Sequence, residues 1–139
     1  MKKSALINAE LSYLVATLGH TDEVTVCDAG LPIPDASQRI DLALIPGVPT
    51  FIQTVKALLG EMQIEGVVMA EEFKQVSPEH HDELLTLIRA EEQQSGKTIQ
   101  LTYVSHEAFK VRTQNSKAVI RTGECTPYAN VIFQAGVVF

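Results

Sequence analysis

Apolar positions along the chain change their period several times, and each change marks an element. Leu11, Leu14, Val15 and Leu18 recur at helical spacing, and Gly19 follows where a left-handed cap would end a helix and deliver His20 to its exit loop. Val24 to Cys27 reads as a short strand, closed by the loop Asp28 to Pro34, whose glycine and two prolines exclude regular structure. Ile40 to Ile45 is a further strand. Gly47 and Pro49 then introduce a helix with Phe51, Ile52, Val55, Leu58 and Leu59 on one side. Ile64 to Ala70 is continuously apolar, as in a strand covered on both faces.

Ser77, Pro78 and Glu79 predict a helix start with serine as cap, and the helix runs to about Ser95, where Gly96 stops it. Thr98 to Val104 is a strand, Ser105 caps a short helix through Arg112, and Ala118 to Arg121 and Asn130 to Phe133 are the last two strands. Such alternation predicts an α/β fold: a three-layer domain over residues 1–139, with a mostly parallel or mixed central sheet and helices on both faces. Ligands in such folds bind at strand ends and connecting loops.

Composition narrows the function classes. With 45% hydrophobic and 20% charged residues in 139, the chain has material for one packed core and none of the bias of a disordered segment. A formal net charge of −6, without a segregated basic patch, disfavours nucleic acid as a partner. No apolar run approaches the ~20 residues of a membrane span or resembles a secretion signal, which makes cytoplasm the expected compartment. Cys27 and Cys125 are too few for a disulfide framework and read as free thiols. Glycine-rich phosphate loops, dinucleotide fingerprints, nucleophile elbows and zinc-binding His-Glu-x-x-His are all absent.

The candidate chemistry then lies in loops. His20 can exchange protons near neutral pH, or it can serve only as a cation at a helix C-terminus. Asp28 can grip a hydroxyl or orient a histidine, or it can be a turn residue bonding its own backbone beside Gly30. His106 and Lys110, four apart, share a helix face. The segment Gly123 to Asn130 is polar, and Tyr128 and Asn130 offer a hydroxyl and an amide suited to a polyol, although a plain connecting loop would look the same. His80 and His81, adjacent on an acidic helix, point about 100° apart and are expected on a solvated face rather than on a shared metal. Cys125 is expected to pack as a small hydrophobe, with a thiol nucleophile as the minor alternative.

Four strings carry a resemblance: Leu18-Gly19-His20-Thr21-Asp22, Cys27-Asp28-Ala29-Gly30-Leu31-Pro32-Ile33-Pro34, Ala70-Glu71-Glu72, and Gly123-Glu124-Cys125-Thr126-Pro127-Tyr128-Ala129-Asn130. In their order and over nearly the whole length the chain resembles the D-ribose pyranase family, and more loosely the fucose mutarotases. The resemblance implies a cytoplasmic isomerase that interconverts the β-pyranose and β-furanose forms of D-ribose without metal or organic cofactor, upstream of a furanose-using kinase in ribose catabolism. It implies His20 as the catalytic acid/base, with Asp28, His106, Lys110, Tyr128 and Asn130 on the sugar. Asp28 is expected to fix either the His20 imidazole or a sugar hydroxyl. It also implies a pentameric ring, two of which stack into a decamer with sites near subunit contacts; the apolar tail Val131 to Phe139 is expected in the core or at such a contact. A sugar-binding protein without catalysis, and a mutarotase of another aldose such as L-fucose, are the alternatives.

Overall fold

A computed structural model describes all of residues 1–139. The elements follow in the order α1 (Ala9–Thr17), β1 (Glu23–Cys27), β2 (Arg39–Asp41), α2 (Phe51–Leu59), β3 (Ile64–Ala70), α3 (Glu71–Val76), α4 (Pro78–Ser95), β4 (Gln100–Val104), α5 (His106–Thr113), β5 (Ala118–Arg121) and β6 (Val131–Ala135). One six-stranded sheet runs β2-β5-β1-β6-β3-β4. β6 is antiparallel to both its neighbours, β1 and β3, and every other pairing is parallel. The expected mixed α/β sheet is therefore present, with one reversed strand at its centre.

Alternation along the strands divides the apolar side chains between two cores. Val24 and Val26, Val67 and Met69, Ala118 and Ile120, and Val131 and Phe133 belong to a core of 25 buried residues shared with α1, α2, α3 and α4. Val68, Ala70, Val119 and Ile132 point the other way, into a seven-residue cluster closed by Phe109 of α5 and Leu31 of the loop after β1. Helices cover both faces, as the pattern predicts, but unequally.

Several local expectations change. The strand expected over 40–45 is only Arg39–Asp41, because Leu44 and Ile45 turn away into a loop bridged at Ile45–Val48 and are exposed. Gly19 does not take a left-handed conformation: Leu18 is an extended cap, and the Gly19 N–H donates to Asp22 Oδ2 at 2.8 Å. Gly96 is left-handed at φ +69°, as its stop role requires. Ser77 does not cap α4 with its side chain; its hydroxyl donates to the Pro127 carbonyl at 2.7 Å. Helix α3 went unforeseen because six residues are too few to show a period, yet its Phe73 is wholly buried, edge-on to Phe51 at 5.9 Å and to His81 at 5.6 Å.

These contacts make Phe73 the pin between α3, α2 and α4. Phe73→Ala should cost about 3–5 kcal/mol in urea unfolding at fixed protein concentration. A loss under about 1 kcal/mol, the range of a surface change, would show that this packing is not what holds α3.

Candidate functional site

Because five strands run parallel, the carboxyl ends of β1, β3, β4 and β5 lie along one edge of the sheet, joined there by the start of β6. The loops leaving that edge enclose a cavity of about 520 Å³, walled by Asp28 to Pro32, by His106, and by Glu124 to Tyr128. This is the crevice position that open α/β sheets use for ligands.

Asp28 immediately follows β1. Its N–H donates to Asn130 Oδ1 at 2.8 Å, and Asn130 Nδ2 donates back to Asp28 Oδ2 at 3.2 Å. Gly30 N–H donates to Asp28 Oδ1 at 2.9 Å, so the turn-residue role is also real. Burial pushes the Asp28 carboxyl above its ordinary value, against the bonds from Gly30 and Asn130 and the charge of His106, which favour ionisation. Asn130 is itself buried and acts on the cavity through Asp28.

His106 opens α5, where its N–H donates to Glu72 Oε2 at 2.9 Å. Its ring lies edge-on to Tyr128 at 4.9 Å and parallel to Phe109 at 6.5 Å. Nδ1 of His106 is the only buried side-chain nitrogen or oxygen without a hydrogen-bond partner. Tyr128 adopts φ +63°, one of two non-glycine residues with positive φ; the other is Thr21, next to His20. Backbone held in that region is costly and concentrates at functional sites.

The loop 123–130 is fastened from several sides. Gly123 lies so close to the 45–49 loop that a Cβ would stand 2.4 Å from the Val48 carbonyl oxygen. Glu124 is buried, its Oε1 accepting from Phe51 N–H at 3.4 Å and standing 3.6 Å from His80 Nε2. Arg121 holds the Ala29 carbonyl at 3.0 Å while pairing with Asp41, which fixes the opposite wall.

Not every expected residue joins this cavity. Lys110 pairs with Glu107 at 2.7 Å and is not in the wall. His20 precedes β1 while Asp28 follows it, so within one chain they are separated by roughly 17 Å of strand at ~3.3 Å per residue. Asp28 therefore does not hold the His20 imidazole in its own chain. His20 Nε2 donates to Glu65 Oε2 at 2.8 Å, beside a second cleft of about 450 Å³ bounded by Met62, Gly136 and Phe139.

The adjacent histidines also depart from expectation. His81 is buried against Tyr103, its Nε2 at 2.6 Å from the hydroxyl, and His80 reaches Thr126 and Glu124; neither occupies a solvated face. Cys125 is the exposed thiol, on the cavity wall, whereas Cys27 is the buried one, its thiol pushed up to about 12 by burial and by the charge of Asp28. No group of three or more His, Cys, Asp or Glu side chains is gathered as a metal site. Glu65, Glu72, Glu124 and His80 are the polar residues around these sites that sequence reasoning passed over. Glu72 and Glu124 lie within the strings Ala70-Glu71-Glu72 and Gly123 to Asn130 without being given a role there, His80 is expected on a solvated face, and nothing in the sequence singles out Glu65.

Comparison with known proteins identifies the fold and the family. A D-ribose pyranase from Photobacterium profundum is 82% identical over the full length of both chains, and one from Vibrio vulnificus YJ016 is 68% identical over the same span. The structure of Bacillus subtilis RbsD complexed with D-ribose superposes with a TM-score of 0.91 at 46% identity, covering all of both chains. A fucose mutarotase from Streptococcus pneumoniae, solved with L-fucose, shares the fold at a TM-score of 0.80 and 21% identity, again over both whole chains. The profile of the RbsD / FucU transport protein family matches residues 1–138, and the chain belongs to that family.

Proposed function

We propose that the chain is a D-ribose pyranase, acting over residues 1–139 as one sugar mutarotase unit that exchanges the β-pyranose and β-furanose forms of D-ribose. The observation that carries this is the unpartnered, buried Nδ1 of His106 in a residue that walls a polyol-sized cavity opposite Asp28. A buried polar atom without a partner costs about 1–3 kcal/mol, and a ligand hydroxyl supplies that partner. The pyranase relatives at 82% and 68% identity favour ribose over other aldoses. The fucose mutarotase supports the fold alone.

The chemistry is a proton exchange. The anomeric hydroxyl gives up its proton, the bond from C1 to the ring oxygen breaks, and that oxygen takes a proton. The neighbouring chain hydroxyl then adds to the free aldehyde: its proton is removed, the carbonyl oxygen takes one up as the C=O double bond becomes single, and the five-membered ring closes. Asp28, held by Gly30 and Asn130, accepts from sugar hydroxyls. His106 and Tyr128 hold others, with Lys110 at the margin. His20 is the acid/base, and such positioned transfer contributes ~10²–10⁴-fold.

For His20 to reach the sugar, it must come from a neighbouring copy. Two exposed apolar patches at opposite edges of the sheet support this: Val138 and Phe139 near the His20 end, and Leu44, Ile45 and Val48 near the cavity end. A head-to-tail contact between unlike patches closes into a ring, here a pentamer, two of which stack as the decamer. The enzyme works in the cytoplasm, upstream of a furanose-using kinase. No helix is long and apolar enough to cross a membrane.

Saturation-transfer NMR on D-ribose should show pyranose-to-furanose exchange accelerated by the protein, and His20→Ala should abolish the acceleration while binding persists. Binding without acceleration would instead identify a non-catalytic sugar-binding protein. Ribose affinity also depends on the charge of Asp28. Because burial raises its carboxyl, the charged form is lost as pH falls through a value above the ordinary aspartate range. Calorimetric titration between pH 7 and pH 4 should show affinity falling across that window, and Asp28→Asn should flatten the profile at the weak level; an unchanged slope in the variant would remove Asp28 from the sugar.

A further inference from the structure

We propose that Glu65 is the positioning residue for His20: its carboxylate accepts a hydrogen bond from Nε2–H, which keeps the hydrogen on that nitrogen and leaves Nδ1 as the atom that exchanges protons with the sugar. The proposal rests on the role of His20 given above. A carboxylate oxygen only accepts, so at 2.8 Å the bonded ring nitrogen is the one carrying hydrogen, and the tautomer follows.

Three separate features of the backbone bring this pair together. The β3–β6 register slips between Ile64 and Gly66, so that Ile64 pairs with Ala135 and Gly66 with Gln134 while Glu65 is the extra residue of a bulge. Bulges re-aim side chains, often beside active sites. Gly136 lies against that bulge, where a Cβ would stand 3.2 Å from Glu65 Cβ and 3.3 Å from the Ile64 carbonyl carbon. On the other side, Thr21 takes φ +69°, a β-branched residue in a region such residues avoid, and its N–H donates to the Ala135 carbonyl at 2.9 Å. The His20 loop is thus tied to Ala135, and the Glu65 bulge to Ala135 and Gly136. Side-chain exposures of 55% and 38% mean that the pair adds little to stability, so the strain at Thr21 is not explained by what the ion pair contributes to folding.

The test uses Glu65→Ala and Glu65→Gln in the assembled protein, with ribose exchange followed across sugar concentrations and ¹⁵N shifts recorded for the His20 ring. In Glu65→Ala, kcat should fall about 10-fold or more with KM within about twofold, because an interaction needed in the transition state is lost. The ring should pass from a single Nε2–H tautomer to a mixture. Glu65→Gln, whose amide oxygen still accepts, should keep the tautomer and recover part of kcat. An unchanged kcat and tautomer in Glu65→Ala, alongside an inactive His20→Ala, would overturn the role of Glu65 alone. A fully active His20→Ala would overturn the role of His20 itself, and this proposal with it.

Discussion

Two reciprocal hydrogen bonds between Asp28 and Asn130 join the end of β1 to the beginning of β6, and the cavity depends on them. They bridge 102 positions of sequence, and they satisfy an amide and a carboxylate that burial would otherwise leave costly. They are possible because β6 runs against its neighbours: its first residue enters the sheet at the edge where β1 leaves it. A parallel β6 would carry Asn130 to the opposite edge. The reversed central strand is therefore what converts an α/β sheet into this particular crevice.

Around that join, each wall of the cavity is fixed by a polar contact from a different element. Arg121 holds Ala29, Ser77 holds Pro127, and Glu72 holds the first turn of α5. Such a site is preorganised by its supporting contacts, so little ordering remains for a ligand to impose on binding. The positive φ of Tyr128 fits this picture, since a strained residue persists only where its surroundings over-determine it.

Much of this was legible in the sequence because long apolar periods report burial directly. The strand at β3 follows from its continuous apolar run, the helix at α4 from its Pro78 start and Gly96 stop, and the short helix at α5 from its Ser105 cap. Asp28, His106 and Tyr128 meet because each stands at a strand end, which the loop signals mark. Two things were illegible for physical reasons, and a third was legible but is missed by residue type alone. The direction of β6 is a property of pairing, and Val131 to Ala135 reads alike in either sense. Ser77 looks like a cap because caps are recognised by type, and its actual partner, Pro127, is 50 residues away. The separation of His20 from Asp28 is a matter of which end of one strand each occupies. A list of chemically suited residues cannot reveal it, although their numbers on either side of β1 could have.

That separation makes shared sites between copies the central claim, and mixing two defective variants tests it most directly. His20→Ala and Asp28→Asn each lack one half of the site. Co-assembled in equal amounts from the unfolded chains, they should regain about a quarter of wild-type ribose exchange, because that share of contacts joins an intact His20 to an intact Asp28. Mixed assemblies no more active than either variant alone would contradict a site built from two copies.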